Sequence, residues 1–161
     1  MRAECSVALK TALPDFHHPR RGPLAGDMEI TYRTARELDR DALAALFLSV
    51  DWASGRHPER LQRAIGGSDH VVTAWSGGRL VGLMNALSDG ELTAYFHYLV
   101  VHPAHQGRGI GRELVARMTA HYRGCTRLVL VAYKEEVPFY ERCGFRLAER
   151  ALPVQITTLD D

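Results

Sequence analysis

Residues 101–114 read Val101-His-Pro-Ala-His-Gln106-Gly-Arg-Gly-Ile-Gly111-Arg-Glu-Leu114: an apolar strand end, a proline-containing loop, glycine at every second position, then the start of an amphipathic helix. Glycine has no Cβ, so a ligand can press against main-chain N–H groups there. The first N–H groups of a helix lack internal partners, and the helix dipole makes that end attractive to anions. Arg108 and Arg112 add positive charge at the same place. Together these features describe a cradle for a diphosphate.

Two familiar phosphate fingerprints do not fit it. G-x-G-x-x-G fails in the frame from Gly107, because Arg112 stands at the third glycine, and in the frame from Gly109, which ends on Leu114. The P-loop pattern is absent.

Outward from the cradle, the pattern alternates between strand and helix. Glu29 to Ala35 alternates like a strand, and Glu37 to Val50 repeats Leu38, Ala42, Ala45 and Leu46 at helical spacing. Asp51 to Pro58 is a loop carrying Trp52 and His57, and Glu59 to Ile65 predicts a second helix ended by Gly66-Gly67. His70–Trp75 and Leu80–Ala86 flank Ser76-Gly77-Gly78, a hairpin signal. Leu92–Val101 predicts a long strand, and Gly109–Tyr122 a helix with Ile110, Leu114, Val115 and Met118 on one face. Arg127–Tyr133 is apolar enough to predict a central strand. Val137–Arg142 predicts a short helix, with Phe145–Leu147 and Val154–Thr158 as closing strands. The fold expected is α/β (α+β), a mixed sheet with helices on its faces.

The 161 residues suit one domain, residues 28–161, behind a proline-rich flexible leader at residues 1–27. A net charge of +1 with scattered basic residues argues against nucleic acid as a partner. No run approaches the ~18–20 apolar residues that span a bilayer, so no membrane partner is expected. The N-terminus lacks a signal-like apolar stretch, which makes a cytoplasmic location the default. Cys5, Cys125 and Cys143 match neither a zinc pattern nor a disulfide framework, so no metal is expected.

Gln106-Gly-Arg-Gly109-Ile-Gly111, directly after a strand ending Val-His-Pro, resembles the Q/R-x-x-G-x-G/A signature of the GNAT superfamily of acyl-CoA N-acetyltransferases. Tyr95 to Val101 resembles that family's fourth strand, and Val137-Pro-Phe-Tyr140-Glu-Arg-Cys-Gly-Phe145 its F-Y-x-x-x-G-F segment. The resemblance spans roughly Met28 to Phe145 and implies a mostly antiparallel sheet flanked by helices on both faces. It also implies acetyl-CoA as cosubstrate and an amine acceptor. The main-chain N–H groups from Gly107 through Arg108, Gly109, Ile110, Gly111 and Arg112 would hold the pyrophosphate, with Gln106 opening the motif. Leu99, Val100 and Val101 would pair with the pantetheine arm as an added strand. The asparagine that many relatives carry after the fifth strand is missing, and a backbone contact from Ala132 or Tyr133 would take its place. Homodimers are common in such a family.

By the same resemblance Tyr140 protonates the departing thiolate. An amine must lose its proton before it attacks, and His97 is the first candidate base, since histidine titrates near neutrality. Strand parity sets His97 on one face with Tyr95 and Leu99; Glu91 and Asp51 are weaker alternatives. Trp52 and Tyr95 are expected to shape the acceptor pocket. A sensor or interaction module of the same fold, binding acyl-CoA without catalysis, would need neither Tyr140 nor His97.

Overall fold

The computed structural model describes residues 29–154 and 156, so the predicted leader, Cys5 and most of the last predicted strand lie outside it. In chain order come β1 (Ile30–Thr34), α1 (Arg40–Leu48), α2 (Pro58–Gly66), β2 (His70–Ser76), β3 (Arg79–Ser88), β4 (Thr93–Val101), α3 (Ile110–His121), β5 (Arg127–Leu130) and α4 (Val137–Arg142). Short 3₁₀ turns occupy Ala53–Arg56, Pro103–His105 and Lys134–Glu136. Asp39 starts α1: its carboxylate accepts the Ala42 N–H at 2.8 Å. That bond fills one of the helix's open donors. Gly77 (φ 53°) and Gly78 (φ 80°) supply a left-handed pair between β2 and β3. A tight two-residue hairpin requires such a pair.

The sheet runs in the order β1-β2-β3-β4-β5. The first four strands pair antiparallel, and β5 joins β4 in parallel, from Thr93↔Arg127 to Phe96↔Leu130. The sheet is therefore mixed and mostly antiparallel, with helices on both faces. α1 and α2 bury Leu43, Leu46, Phe47, Leu61 and Ile65 against one face, where Val71, Leu83 and Val100 point. α3 buries Ile110, Leu114, Val115 and Met118 on the other, with Phe96, Leu99 and Tyr140. At the far end of α3 the Tyr122 hydroxyl donates to Asp69, and His121 stacks on His70 with ring centres 3.6 Å apart. Among the described residues no helix is long and apolar enough to cross a membrane.

Two expectations about strands are corrected. Among the described residues β5 stands at the edge of the sheet rather than within it, and it stops at Leu130. An apolar run of this length reads the same in either position, because helices and loops can cover an edge strand too. Phe145–Leu147 forms no strand, and Leu147, Val154 and Ile156 are exposed.

The register between β3 and β4 shifts at Asn85. Met84 faces Leu99 and Ala86 faces Phe96, so Asn85 stands opposite two residues, His97 and Tyr98. The extra residue makes a β-bulge, and the Asn85 carboxamide fills it. Its oxygen accepts the Tyr98 N–H at 2.9 Å, and its nitrogen donates to the Ser68 hydroxyl at 2.8 Å. Side-chain parity therefore changes at the bulge. Leu99 joins Phe96 on the α3 face and does not share a face with Tyr95 and His97, which corrects the expectation from simple alternation.

Asn85 is 2% exposed. Removing its carboxamide in Asn85→Ala leaves buried donors and acceptors unpaired and is expected to cost about 1–3 kcal/mol in urea unfolding.

Candidate active site

The glycine loop folds as its composition requires. Gly107 (φ 75°) and Gly109 (φ 81°) both lie in the left-handed region, and Gly109 is the residue from which α3 begins. A Cβ built on either would meet nothing within 4 Å, so both face open space. The first backbone bond of α3 runs from the Glu113 N–H to the Gly109 carbonyl at 3.0 Å. The N–H groups of Ile110, Gly111 and Arg112 have no backbone partner among the described residues. They border a cleft of about 370 Å³ that Phe139 and Arg142 of α4 close from the other side. Ile110 itself is buried and contributes only its N–H. Gly111 lies under Phe139, whose ring would stand 3.4 Å from an added Cβ.

Gln106 turns back into the structure. Its side-chain amide donates to the Val101 carbonyl at 3.0 Å and so ties the loop to the end of β4. Arg108 lies 3.2 Å from the His105 ring, whose proton affinity burial lowers first and Arg108 second.

β4 and β5 part company after Phe96↔Leu130, at the residue where the bulge begins. Leu99, Val100 and Val101 remain paired to β3 through Met84, Leu83 and Gly82, but β5 does not follow them on the other side. The gap is the opening that an extended, amide-bearing arm can enter by strand addition. Beyond β5, Ala132 packs towards the α3 face and Tyr133 towards the α1 face. The Tyr133 carbonyl accepts the Glu136 N–H at 2.9 Å.

Polar side chains flank the gap from both faces. His97 is half-buried, with ring centres 4.0 Å from Tyr98 and 5.7 Å from Tyr95. Its Nδ1 is buried without a hydrogen-bond partner, and burial lowers the ring's proton affinity below that of an ordinary histidine. On the opposite face Tyr140 is 3% exposed, and its hydroxyl is buried with no partner. Burial holds that phenol strongly in its protonated form, helped by the Glu136 charge and then Cys143. The Cys143 thiol is likewise pushed up by burial, against Arg112 and Arg142, which disfavours a thiolate nucleophile. Trp52 is 5% exposed and packs edge-on to Phe47 at 5.4 Å, behind Tyr98. It belongs to the core cluster under α1 and α2. Among the described residues no cluster of His, Cys, Asp or Glu is arranged to hold a metal ion.

Sequence reading did not find Asn85 or Glu136. The signal for Asn85 is a lone amide in the apolar run Leu80–Ala86; for Glu136 it is a carboxylate four residues before Tyr140. Glu136 is 7% exposed, and its carboxyl is pushed up to about 7 by burial and then by Glu135.

The site therefore combines an open glycine cradle at a helix start with a strand that splays from its neighbour. Residues 34–145 match the model of the acetyltransferase (GNAT) family, and the chain belongs to that family. It is 33% identical over 129 residues to serotonin N-acetyltransferase 2, chloroplastic, of Oryza sativa subsp. japonica, covering 74% of this chain and 62% of that protein. Against glucosamine 6-phosphate N-acetyltransferase of Trypanosoma brucei brucei it is 28% identical over 87 residues, covering 49% of this chain and 59% of the relative. The chain thus spans less than two thirds of the length of either relative. The fold matches a GNAT-family acetyltransferase from Streptococcus pneumoniae with a TM-score of 0.69 at 23% identity, over 81% of this chain and 100% of that one. The family implies acetyl-CoA as cosubstrate, and the open space at Gly107 and Gly109 beside unpaired N–H groups fits its pyrophosphate.

Gly109 already lies in the left-handed region. Gly109→Ala forces a side chain into that conformation, at about 1–2 kcal/mol, and points a methyl into the cradle. Calorimetry is expected to read a loss in coenzyme A affinity of about tenfold or more.

Proposed function

We propose that this chain moves an acetyl group from acetyl-CoA to a primary amine by direct attack within a ternary complex, and that the acceptor is a small molecule. The observation that carries this reading is the Tyr140 hydroxyl, buried without a partner against the strands that border the gap. An orphaned buried hydroxyl is costly unless a bound group completes it. A departing thiolate held in the gap is such a group.

The roles follow from the chemistry. The α3 N–H groups and Arg112 hold the pyrophosphate, and the free edge of β4 at Leu99, Val100 and Val101 takes the pantetheine amides. A main-chain N–H near Val100 and Val101 polarises the thioester carbonyl as the tetrahedral oxyanion forms. His97, kept neutral by its burial, accepts the amine proton. The amine nitrogen bonds to the acetyl carbon, the carbon–sulfur bond breaks, and Tyr140 gives its proton to the sulfur. Ala132 and Tyr133 line the coenzyme side of the gap, and Tyr95 its acceptor side. The names of the rice and trypanosome relatives, which specify serotonin and glucosamine 6-phosphate, support a small amine rather than a protein.

A panel of small amines and peptides, scored by release of coenzyme A thiol, tests the assignment. Release with a small amine is expected; tight coenzyme binding without release from any acceptor would instead fit a non-catalytic sensor. Tyr140→Phe is expected to lower turnover about 100-fold, within the range of a lost general acid, while calorimetry reads coenzyme A affinity nearly unchanged. Because burial depresses the His97 proton affinity, turnover at saturating amine is expected to rise with pH through a midpoint below 6.5. His97→Gln should abolish that rise.

A further inference from the structure

The Asn85 side chain stands where the pairing of β3 and β4 slips by one residue. On one side Gly82, Leu83 and Met84 pair with Val101, Val100 and Leu99; on the other Ala86, Leu87 and Ser88 pair with Phe96, Tyr95 and Ala94. Without the slip, the first register would set Ala86 against His97 and Leu87 against Phe96. Alternation would then turn the His97 ring into the α3 core with Leu99 and turn Phe96 out of it. The slip keeps Phe96, 1% exposed, in that core and leaves the His97 and Tyr98 rings side by side on the opposite face.

A bulge disrupts the ladder and leaves a residue unpaired. Here the Tyr98 N–H is taken by a side chain, the Asn85 Oδ1, at 2.9 Å. An N–H can only donate, so this contact fixes which end of the carboxamide faces β4. The other end, Nδ2, donates to the Ser68 hydroxyl at 2.8 Å, and that hydroxyl donates to the Ala64 carbonyl of α2 at 3.2 Å. The series runs in one direction only, which leaves the Asn85 side chain a single orientation. A bulge does not by itself call for a buried amide. The pairing of β2 and β3 slips likewise between Ala74 and Trp75, opposite Gly82, Val81 and Leu80, where no carboxamide stands.

We propose that Asn85 is a positioning residue for the transfer reaction: by holding the Tyr98 N–H through its side chain it fixes the His97 ring at the gap and so sets turnover. The inference rests on the role given to His97 above. Asn85 meets no reacting atom in that scheme. Its effect passes through the main chain at His97 and Tyr98 and through the Tyr98 ring. That ring lies 4.0 Å from His97 and is braced by Phe47 at 5.1 Å and Trp52 at 5.4 Å. A base must sit within hydrogen-bond reach of the proton it takes. Misplacing a catalytic group by about 1 Å can cost on the order of 100-fold in rate. The cradle is tied down separately, by the Gln106 bond to the Val101 carbonyl. Loss of the Asn85 contact is therefore felt at the histidine rather than at the pyrophosphate.

The test is steady-state kinetics of Asn85→Ala, Asn85→Asp and Ser68→Ala with acetyl-CoA and an amine that the wild type accepts, at a temperature where circular dichroism shows each variant folded. Asn85→Ala removes both halves of the carboxamide, and Ser68→Ala removes only the partner of its nitrogen. Asn85→Asp keeps an oxygen for the Tyr98 N–H, and the Ser68 hydroxyl can turn to donate to it. Asn85→Ala is expected to lower kcat about 10–100-fold while KM for acetyl-CoA stays within about twofold. Asn85→Asp and Ser68→Ala are expected to melt below the wild type yet keep kcat within about threefold. In a His97→Gln background Asn85→Ala should cost little further turnover, since residues that act as a unit are not additive. Unchanged kcat in Asn85→Ala overturns the inference and leaves the acetyltransferase reading standing. So does a loss that Ser68→Ala matches, because it then follows stability, or one that persists in full beside His97→Gln. If the wild type releases no thiol with any acceptor, both readings fall. Should Asn85→Ala not fold, Asn85→Leu, of similar volume, replaces it and must show the same loss.

Discussion

Asn85 commits both ends of its carboxamide to one irregularity, and the site is organised around it. A buried amide has to be paired on its donor and acceptor sides alike. Here the oxygen takes the N–H of Tyr98 and the nitrogen reaches Ser68, at the end of α2. With both bonds made, β4 presents two residues opposite one. The bulged strand bends and twists more strongly than its neighbours, as bulges do. Immediately past that point β5 no longer follows β4, and the parity of side chains is reset. Leu99 becomes a core residue on the α3 face, while His97 and Tyr98 lie together on the other. The bulge that this amide fills coincides with the gap, with the edge beside it and with the change in the side on which the histidine stands.

The two ends of the gap differ in electrostatic character. At the cradle the backbone is exposed, the glycines face solvent, and Arg112 and Arg142 stand nearby, a setting for a multiply charged phosphate. At the end proposed for the reaction, His97, Tyr140 and Glu136 are all shifted by burial towards their neutral forms. A histidine ready to accept a proton and a phenol that retains one follow from the same dry surroundings. Acyl transfer to a neutral amine needs both.

Much of this was legible in the chain itself, because the features concerned are local. Gly107, Gly109 and Gly111 before an amphipathic helix specify a left-handed turn and open donors without reference to the rest of the fold. The helix face of Ile110, Leu114, Val115 and Met118 is buried as its spacing requires. What the sequence concealed depends on partners distant in the chain. Alternation set His97 and Leu99 on one face, since nothing in residues 92–101 announces an inserted residue; the cause lies in Asn85, on β3. Arg127–Tyr133 read as a central strand because apolar character reports burial rather than the number of neighbours. The aromatic Trp52 reads equally well as a pocket wall or as core, and its contacts with Phe47 and Tyr98 set it in the core.

α4 has six residues, and two adjacent ones face different tasks. Phe139 lies over Gly111 at the mouth of the phosphate cradle, while Tyr140 points into the interior beside β5. So short a segment moves as a unit: a tilt that lifts the phenylalanine from the cradle also displaces the phenol. In the proposed scheme, the anchoring of the nucleotide end and the aim of the acid are therefore joined through one short helix.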